Sequence, residues 1–320
     1  MKRIVWLFVF MLGSVFEALA QSDASFSQYH STLGYYNPAT AGRYGDMDVS
    51  ALYRLQWIGW SNAPRTTYIT ANMPYNFMRR EHGIGIVFVQ DNISSLYQDM
   101  SAGLQYAYLK KMGKGKLRVG VQLGMVSRTA GGNIVITPDS TDNTGGSDEA
   151  IPTSKIEKRV FDANAGLYYA TDKWFIGVGV THLLEPVIET ENLYTFIERG
   201  YNFISGYNIQ MNNPLFELQP SVFVQTNLHT YRADVTARAV YAKKYSAGLS
   251  WRVNENRLAD ALIVLLGATF GKLEGGYAYD VPLSNVGRGT VGSHELFLKY
   301  RMQINKPKTG KSKHKSVRIL

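Results

Sequence analysis

Leu117-Arg118-Val119-Gly120-Val121-Gln122-Leu123-Gly124-Met125 alternates large apolar side chains with arginine, glycine and glutamine. Trp174-Phe175-Ile176-Gly177-Val178-Gly179-Val180-Thr181 repeats the pattern. A period of two sends successive side chains to opposite faces of an extended strand. One face is then Leu, Val, Met and Trp, and the other is mostly Gly, Gln, Arg and Thr. A strand of about ten residues, apolar outside and polar inside, is the unit of a membrane-spanning β-barrel. Turn signals between further alternating runs predict about fourteen strands. Their cores lie near 47–56, 65–73, 83–91, 98–109, 116–127, 160–170, 173–182, 201–211, 215–226, 231–241, 245–253, 260–270, 273–280 and 293–303. The predicted fold is all-β, a transmembrane antiparallel barrel over 47–303. Tyr245, Ala247, Leu249, Trp251 and Val253 are expected to face lipid, with Ser246, Gly248, Ser250 and Arg252 inward. The run 260–270 is apolar on both faces.

The start of the chain agrees with export. Lys2 and Arg3 precede an apolar run at 4–12, and Ala18-Leu19-Ala20 offers the small residues of a cleavage site. Residues 1–20 therefore read as a secretory signal peptide. Elsewhere nothing approaches the roughly eighteen consecutive apolar residues that a helical span needs. The sequence has no cysteine, so no disulfide holds it. Aromatic residues make up 12% of the chain, including 21 tyrosines, which suits the girdles of a barrel at its two water interfaces.

The net charge of +9 invites a nucleic-acid partner, but its location argues against one. Residues 301–320 carry seven positive side chains and no acid, and residues 1–20 contribute +1, which leaves +1 for 21–300. The basic character is concentrated in a tail, 304–320, with Lys306, Lys308, Lys311, Lys313, Lys315 and Arg318. Such a tail reads first as a disordered, solvated end, and second as a contact for anionic headgroups of outer-membrane lipids or an acidic protein partner.

The predicted connections alternate in length. Those after even-numbered strands are mostly tight, as at 110–115, 171–172, 212–213, 242–244 and 271–272. Those after odd-numbered strands include all the long ones, 128–159, 183–200 and 281–292. Outer-membrane barrels keep short turns in the periplasm and long loops outside, so an even strand count predicts both termini in the periplasm. Residues 21–46 lack alternation and are a candidate plug for the lumen. The inward charges include Arg54, Arg118, Asp162, Glu217, Arg232 and Asp234, and further along Arg238, Arg252, Glu274, Asp280, Glu295 and Lys299. Both signs are present, as in a network that fixes barrel shape. Strands one and fourteen must meet if the barrel closes, which brings Arg54 towards Glu295.

Signatures of catalysis are missing. Gly310-Lys311-Ser312 lacks the leading glycine of a phosphate loop, since Asn305 stands there, and no G-x-S-x-G elbow occurs. The six histidines show no ligand spacing, and there is no thiol. The oxygen-rich run 139–149 departs from a calcium loop because Thr144 replaces the turn glycine. No catalytic, metal or cofactor residues are assigned.

Two clusters remain. Phe26-Ser27-Gln28-Tyr29, Asn37-Pro38-Ala39-Thr40-Ala41-Gly42 and Tyr53-Arg54-Leu55-Gln56-Trp57 form a series near the start. Gly292-Ser293-His294-Glu295-Leu296-Phe297-Leu298-Lys299-Tyr300 closes the last strand. With Ala63-Pro64, these motifs resemble the PorP/SprF family of Bacteroidota outer-membrane proteins. The resemblance marks Phe26, Gln28, Tyr29, Asn37, Pro38, Ala41, Gly42, Tyr53, Arg54, Gln56, Trp57, Ser293, His294 and Glu295. It implies a non-enzymatic barrel of the type IX secretion and gliding machinery. Such a barrel would work with periplasmic components and with secreted proteins that bear a C-terminal sorting domain. The rival readings are a passive channel or hydrophobic-solute transporter, and a lipid-modifying enzyme of the outer membrane.

Overall fold

The computed structural model describes residues 23–93, 97–130, 156–190, 193–284 and 289–303. The signal peptide, the 139–149 run and the 304–320 tail lie outside them. The wall is built from β1 (Met47–Leu55), β2 (Arg65–Phe77), β3 (Arg80–Asn92), β4 (Tyr97–Met112), β5 (Gly115–Ala130), β6 (Ile156–Ala170) and β7 (Trp174–Thr181). It continues through β10 (Gly200–Tyr207), β12 (Phe216–Thr226), β13 (Tyr231–Tyr241), β14 (Tyr245–Asn254), β15 (Arg257–Phe270), β16 (Leu273–Pro282) and β17 (Ser293–Met302). A short hairpin, β8 (Val187–Thr190) and β9 (Leu193–Phe196), decorates the connection after β7, and β11 (Ile209–Gln210) extends β10 beyond a break at Asn208. Every neighbouring pair is antiparallel, and β1 closes on β17, giving a 14-strand barrel among the described residues.

Alternation in sequence becomes alternation in exposure. In β14, Tyr245, Leu249 and Trp251 point outward while Ser250 and Arg252 are buried. Exposed Leu104, Val121, Leu123 and Leu266 belong to the same outward apolar band, an arrangement that a water-facing surface would not carry over so wide an area. The run that is apolar on both faces is β15. Its inward Ile263 and Leu265 pack on Ala278 of β16.

Turns at one end are tight and use left-handed backbone. Met78 and Arg79 both have positive φ between β2 and β3, as do Ala242 and Lys243 between β13 and β14, the geometry that matches strand twist in short hairpins. The strand ends joined by the long connections, at 55 and 65, 130 and 156, 181 and 200, and 282 and 293, all lie at the other end.

The path ahead of β1 bears on the expected placement of the termini. Met47 and Met302 are paired neighbours at the tight-turn end, but the chain ahead of Met47 does not stay there. Residues 23–46 run through the barrel, and Asp23 bonds to Thr181 and His182, at the end of β7 that leads into a long connection. The first and last described residues therefore sit at opposite ends. Counting strands fixes the side of β1 and β17, and says nothing of a segment that crosses the lumen.

Candidate functional site

The luminal segment is held at three levels. At the long-connection end, the His182 imidazole lies between two carboxylates, Asp23 at 2.9 Å and Asp162 at 2.6 Å. Thr181 donates to the second oxygen of Asp23 at 2.9 Å. Burial opposes a charged imidazole, but the two carboxylates outweigh it and push His182 up to about 10. Burial likewise opposes the Asp23 charge; His182 and Thr181 outweigh it and hold Asp23 below its ordinary value.

Below this tether, Phe26-Ser27-Gln28-Tyr29 enters an ionic clamp. The Glu295 carboxylate accepts the backbone N–H groups of Ser27 (2.8 Å) and Gln28 (2.7 Å) and is paired with Arg54 at 3.0 Å. The Ser27 hydroxyl donates to Asp280 (2.8 Å) and accepts from Arg54 (2.8 Å) and Arg252 (2.9 Å), so its one proton and two lone pairs are all used. Arg54 and Arg252 each reach Asp280 at 2.9 Å, and Arg252 reaches Asp234 at 2.8 Å. Arg232 binds Asp234 at 2.5 Å and donates to the Phe26 carbonyl at 2.7 Å. Three arginines thus face three carboxylates, all from the wall, and the charges balance. A buried network of this kind yields little net stability but is costly to break on one side.

Aromatic packing surrounds the clamp. Phe26 meets Tyr35 and Tyr68 with ring centroids 5.5 and 5.6 Å apart, and Tyr29 stacks on Phe223 at 5.0 Å. The inward Val87, Val89, Phe223 and Phe297 depart from a polar lumen because they face this segment in place of water.

The third level is a notch in the wall. Gly83, Ala107, Gly120, Gly166 and Gly179 are paired residue to residue across β3, β4, β5, β6 and β7. The row has almost no side chain, and the backbone of 36–41 lies along it. A Cβ added at Gly83 would land on the Ala41 carbonyl, at Gly120 on the Ala39 backbone, at Gly166 on the Asn37 amide, and at Gly179 on the Tyr36 carbonyl. Locally, a four-residue helix, α1 (Leu33–Tyr36), ends at Asn37, which is extended as a residue before proline must be. The Asn37 side chain accepts from Ala39 N at 2.9 Å and donates to the Leu167 and Val178 carbonyls at 2.9 and 3.1 Å. Gly42 has φ +65°, and a Cβ there would also sit 2.8 Å from the Met73 carbonyl, so both backbone and space require glycine. Arg118 closes the notch by donating to Ala41 O at 2.8 Å and Gly42 O at 3.3 Å.

Residues 18–300 match the family described as type IX secretion system membrane protein PorP/SprF. The chain belongs to that family. This PorP/SprF protein is therefore an outer-membrane β-barrel of the Bacteroidota type IX secretion and gliding system, and not an enzyme. A comparison with curated proteins returns no match. Among solved structures it is similar to a TodX monoaromatic hydrocarbon channel mutant, with TM-score 0.48 and 9% identity over 84% of this chain and 93% of that one. It is similar to the Pseudomonas putida toluene transporter TodX at TM-score 0.47 and 8% identity, over 85% and 93% of the two chains. The β domain of the Bordetella autotransporter BrkA gives TM-score 0.35 and 12% identity over 81% and 99%.

The motif residues of this PorP/SprF chain divide by location. Phe26, Gln28, Tyr29, Arg54 and Glu295 meet in the clamp, and Asn37, Pro38, Ala41 and Gly42 fill the notch. Tyr53 and His294 lie on the outer face, His294 bonded to the Tyr277 hydroxyl at 2.6 Å. Trp57 and Ser293 tie the seam at the long-connection rim, where Trp57 N donates to Ser293 at 3.2 Å, and Gln56 N donates to the Pro64 carbonyl at 3.0 Å beside them. The resemblance did not mark Arg232, Asp234, Arg252 or Asp280, although the inward phase of their strands was readable. Asp23, Asp162 and His182 carry no sequence signal as a unit. Among the described residues, no group of three or more His, Cys, Asp or Glu side chains could hold a metal.

Proposed function

We propose that this protein works as a plugged docking barrel of type IX secretion. The observation that carries the reading is the attachment of 23–46 at three levels inside the lumen. An open pore has no use for a clamp whose six charges are spent on positioning one peptide segment. In this reading the tight-turn end and the 304–320 tail face the periplasm and meet the secretion machinery. The long connections face the cell surface and hold secreted proteins with C-terminal sorting domains, since long loops on a rigid scaffold carry recognition. Lipid contacts are left to the outward apolar band.

The test is affinity purification from outer membranes, paired with comparison of secreted and surface proteins after deletion of the gene. Expected are co-purifying periplasmic components and the loss of particular clients. A deletion strain with an unchanged secretome and surface would sink the assignment. Solute-selective conductance of the wild-type protein in planar bilayers would favour the passive-channel reading instead.

A further inference from the structure

Below the notch, at the tight-turn end, the lumen opens into a cavity of about 580 Å³, in the size range of ligand pockets. Its charge is one-sided. Arg43, Arg118 and Arg238 line it in depth, and the half-exposed Arg301 stands towards the rim with Lys111, Lys114 and Lys116; the carboxylates lining it are Asp172 and Glu274. Arg301 and Glu274 pair at 2.5 Å, and Lys116 meets Glu81 at 3.5 Å.

The deep arginines donate mainly to neutral oxygens. Arg43 donates to the His30 carbonyl at 2.9 Å, and Arg238 donates to the Gln219 amide oxygen at 3.1 Å. Arg118 donates to the two carbonyls of the notch and meets Glu81 only at 3.8 Å. Arg43 and Arg238 thus spend hydrogen bonds on neutral oxygens, and Arg118 has its carboxylate only at 3.8 Å, in contrast to the tightly paired clamp above.

Two groups of the luminal segment register the resulting field. Burial would raise the Tyr44 hydroxyl, but Arg43 and Lys299 outweigh it and bring it down to about 8. Burial, with Arg238, Lys299 and Arg43, pushes His30 well below its ordinary value. Tyr168, Phe175 and Tyr207 add aromatic surface to the same cavity.

We infer that this vestibule is a docking site for an acidic, extended polypeptide segment of a partner protein. The inference rests on the docking reading above and names the surface and the chemistry of the partner. The chain's own tail leaves β17 at this rim, and its Lys306, Lys308, Lys311, Lys313, Lys315 and Arg318 have the wrong sign to fill the cavity.

The test uses the purified full-length barrel and a fluorescent peptide of alternating Glu and Gly, with Gln–Gly and Lys–Gly peptides of equal length as controls. Expected is binding of the acidic peptide alone, weakening with salt, and about tenfold weaker in the exposed-rim variant K111E/K114E. Equal binding of the Gln–Gly peptide, or unchanged affinity in K111E/K114E, would overturn the inference. So would full displacement by millimolar inorganic phosphate, which would mark a small-anion pocket. Heat-modifiable electrophoretic mobility establishes that the variant barrel is folded. If peptide binding fails while the deletion strain still loses clients, this inference falls and the docking reading stands.

Discussion

Replacing Glu295 by glutamine keeps the length of the side chain and removes one charge from the clamp. In the wild type, one carboxylate oxygen accepts Gln28 N at 2.7 Å, and the other accepts Ser27 N at 2.8 Å and Arg54 at 3.0 Å. An amide has a single oxygen, so at least one backbone N–H meets an NH2 group. An orphaned buried donor costs about 1–3 kcal/mol, and uncoupling one partner of a buried ion pair costs roughly 3–5 kcal/mol. The two costs overlap, and only the N–H bonds belong to the luminal segment. We therefore assign about 2–3 kcal/mol to unseating it, which is a rise in the released population of roughly 30- to 150-fold. The chain has no cysteine, so a single reporter can be placed at Thr32, which is fully buried. In T32C, the maleimide labelling rate follows the released population, and adding E295Q should raise it by about 30-fold or more. The β1–β17 ladder survives, so the barrel stays heat-modifiable. A rate within about twofold of T32C alone, in a folded barrel, would refute the clamp as the anchor.

Gly120→Val favours strand conformation but drives a side chain into the Ala39 backbone. Labelling of T32C should become fast while the barrel still folds. Exchanging charges in R54E/E295R should not restore the single losses, because each residue also holds partners that the exchange offends, Ser27 and Asp280 for Arg54 and two N–H groups for Glu295; recovery of slow labelling in the double variant would contradict this. The tether at Asp23 should depend on pH. His182 is raised from 6.5 to about 10, so its contribution is whole below about pH 6.5 and is lost as pH rises towards 10. Asp23 is lowered from 3.8, so its contribution is present above about pH 4 and is lost as pH falls through its depressed value. The mobility of a nitroxide on S25C should be least between these limits, and H182A should abolish the alkaline rise. Removing 304–320 should lower recovery of periplasmic partners at low salt and little at high salt; equal recovery at low salt would deny the tail a docking role.

The wall was legible because its signal is local: period two repeats within each strand and needs no distant partner. The seam was legible for a topological reason, since a closed barrel has to pair its first and last strands, and the register sets Arg54 opposite Glu295. What the seam holds was not legible. Ser27 and Gln28 lie 268 and 267 residues from Glu295 in sequence, and nothing in either stretch encodes the other. The glycines read as small inward residues one by one. That Gly120, Gly166 and Gly179 form a single row depends on register, which follows from turn lengths and pleat together. The path of 23–46 was not legible for a related reason. That stretch has no periodicity from which a direction could be read, and its path is set by side chains of the wall.

The luminal segment is anchored unequally at its two ends. In the clamp, each arginine already holds a carboxylate, so an anion arriving there gains little by displacing one acceptor with another like it. At the tight-turn end, Arg43 and Arg118 hold carbonyl oxygens, which are weaker acceptors for a guanidinium than a carboxylate is. A carboxylate entering the vestibule competes on favourable terms for the two groups that fix residues 41–43. Because Arg43 lies on the segment itself, engagement of such a ligand and seating of the segment share the same contacts and are linked in free energy. Loss of those carbonyl contacts would free residues 41–43 while Glu295 still holds the N–H groups of Ser27 and Gln28.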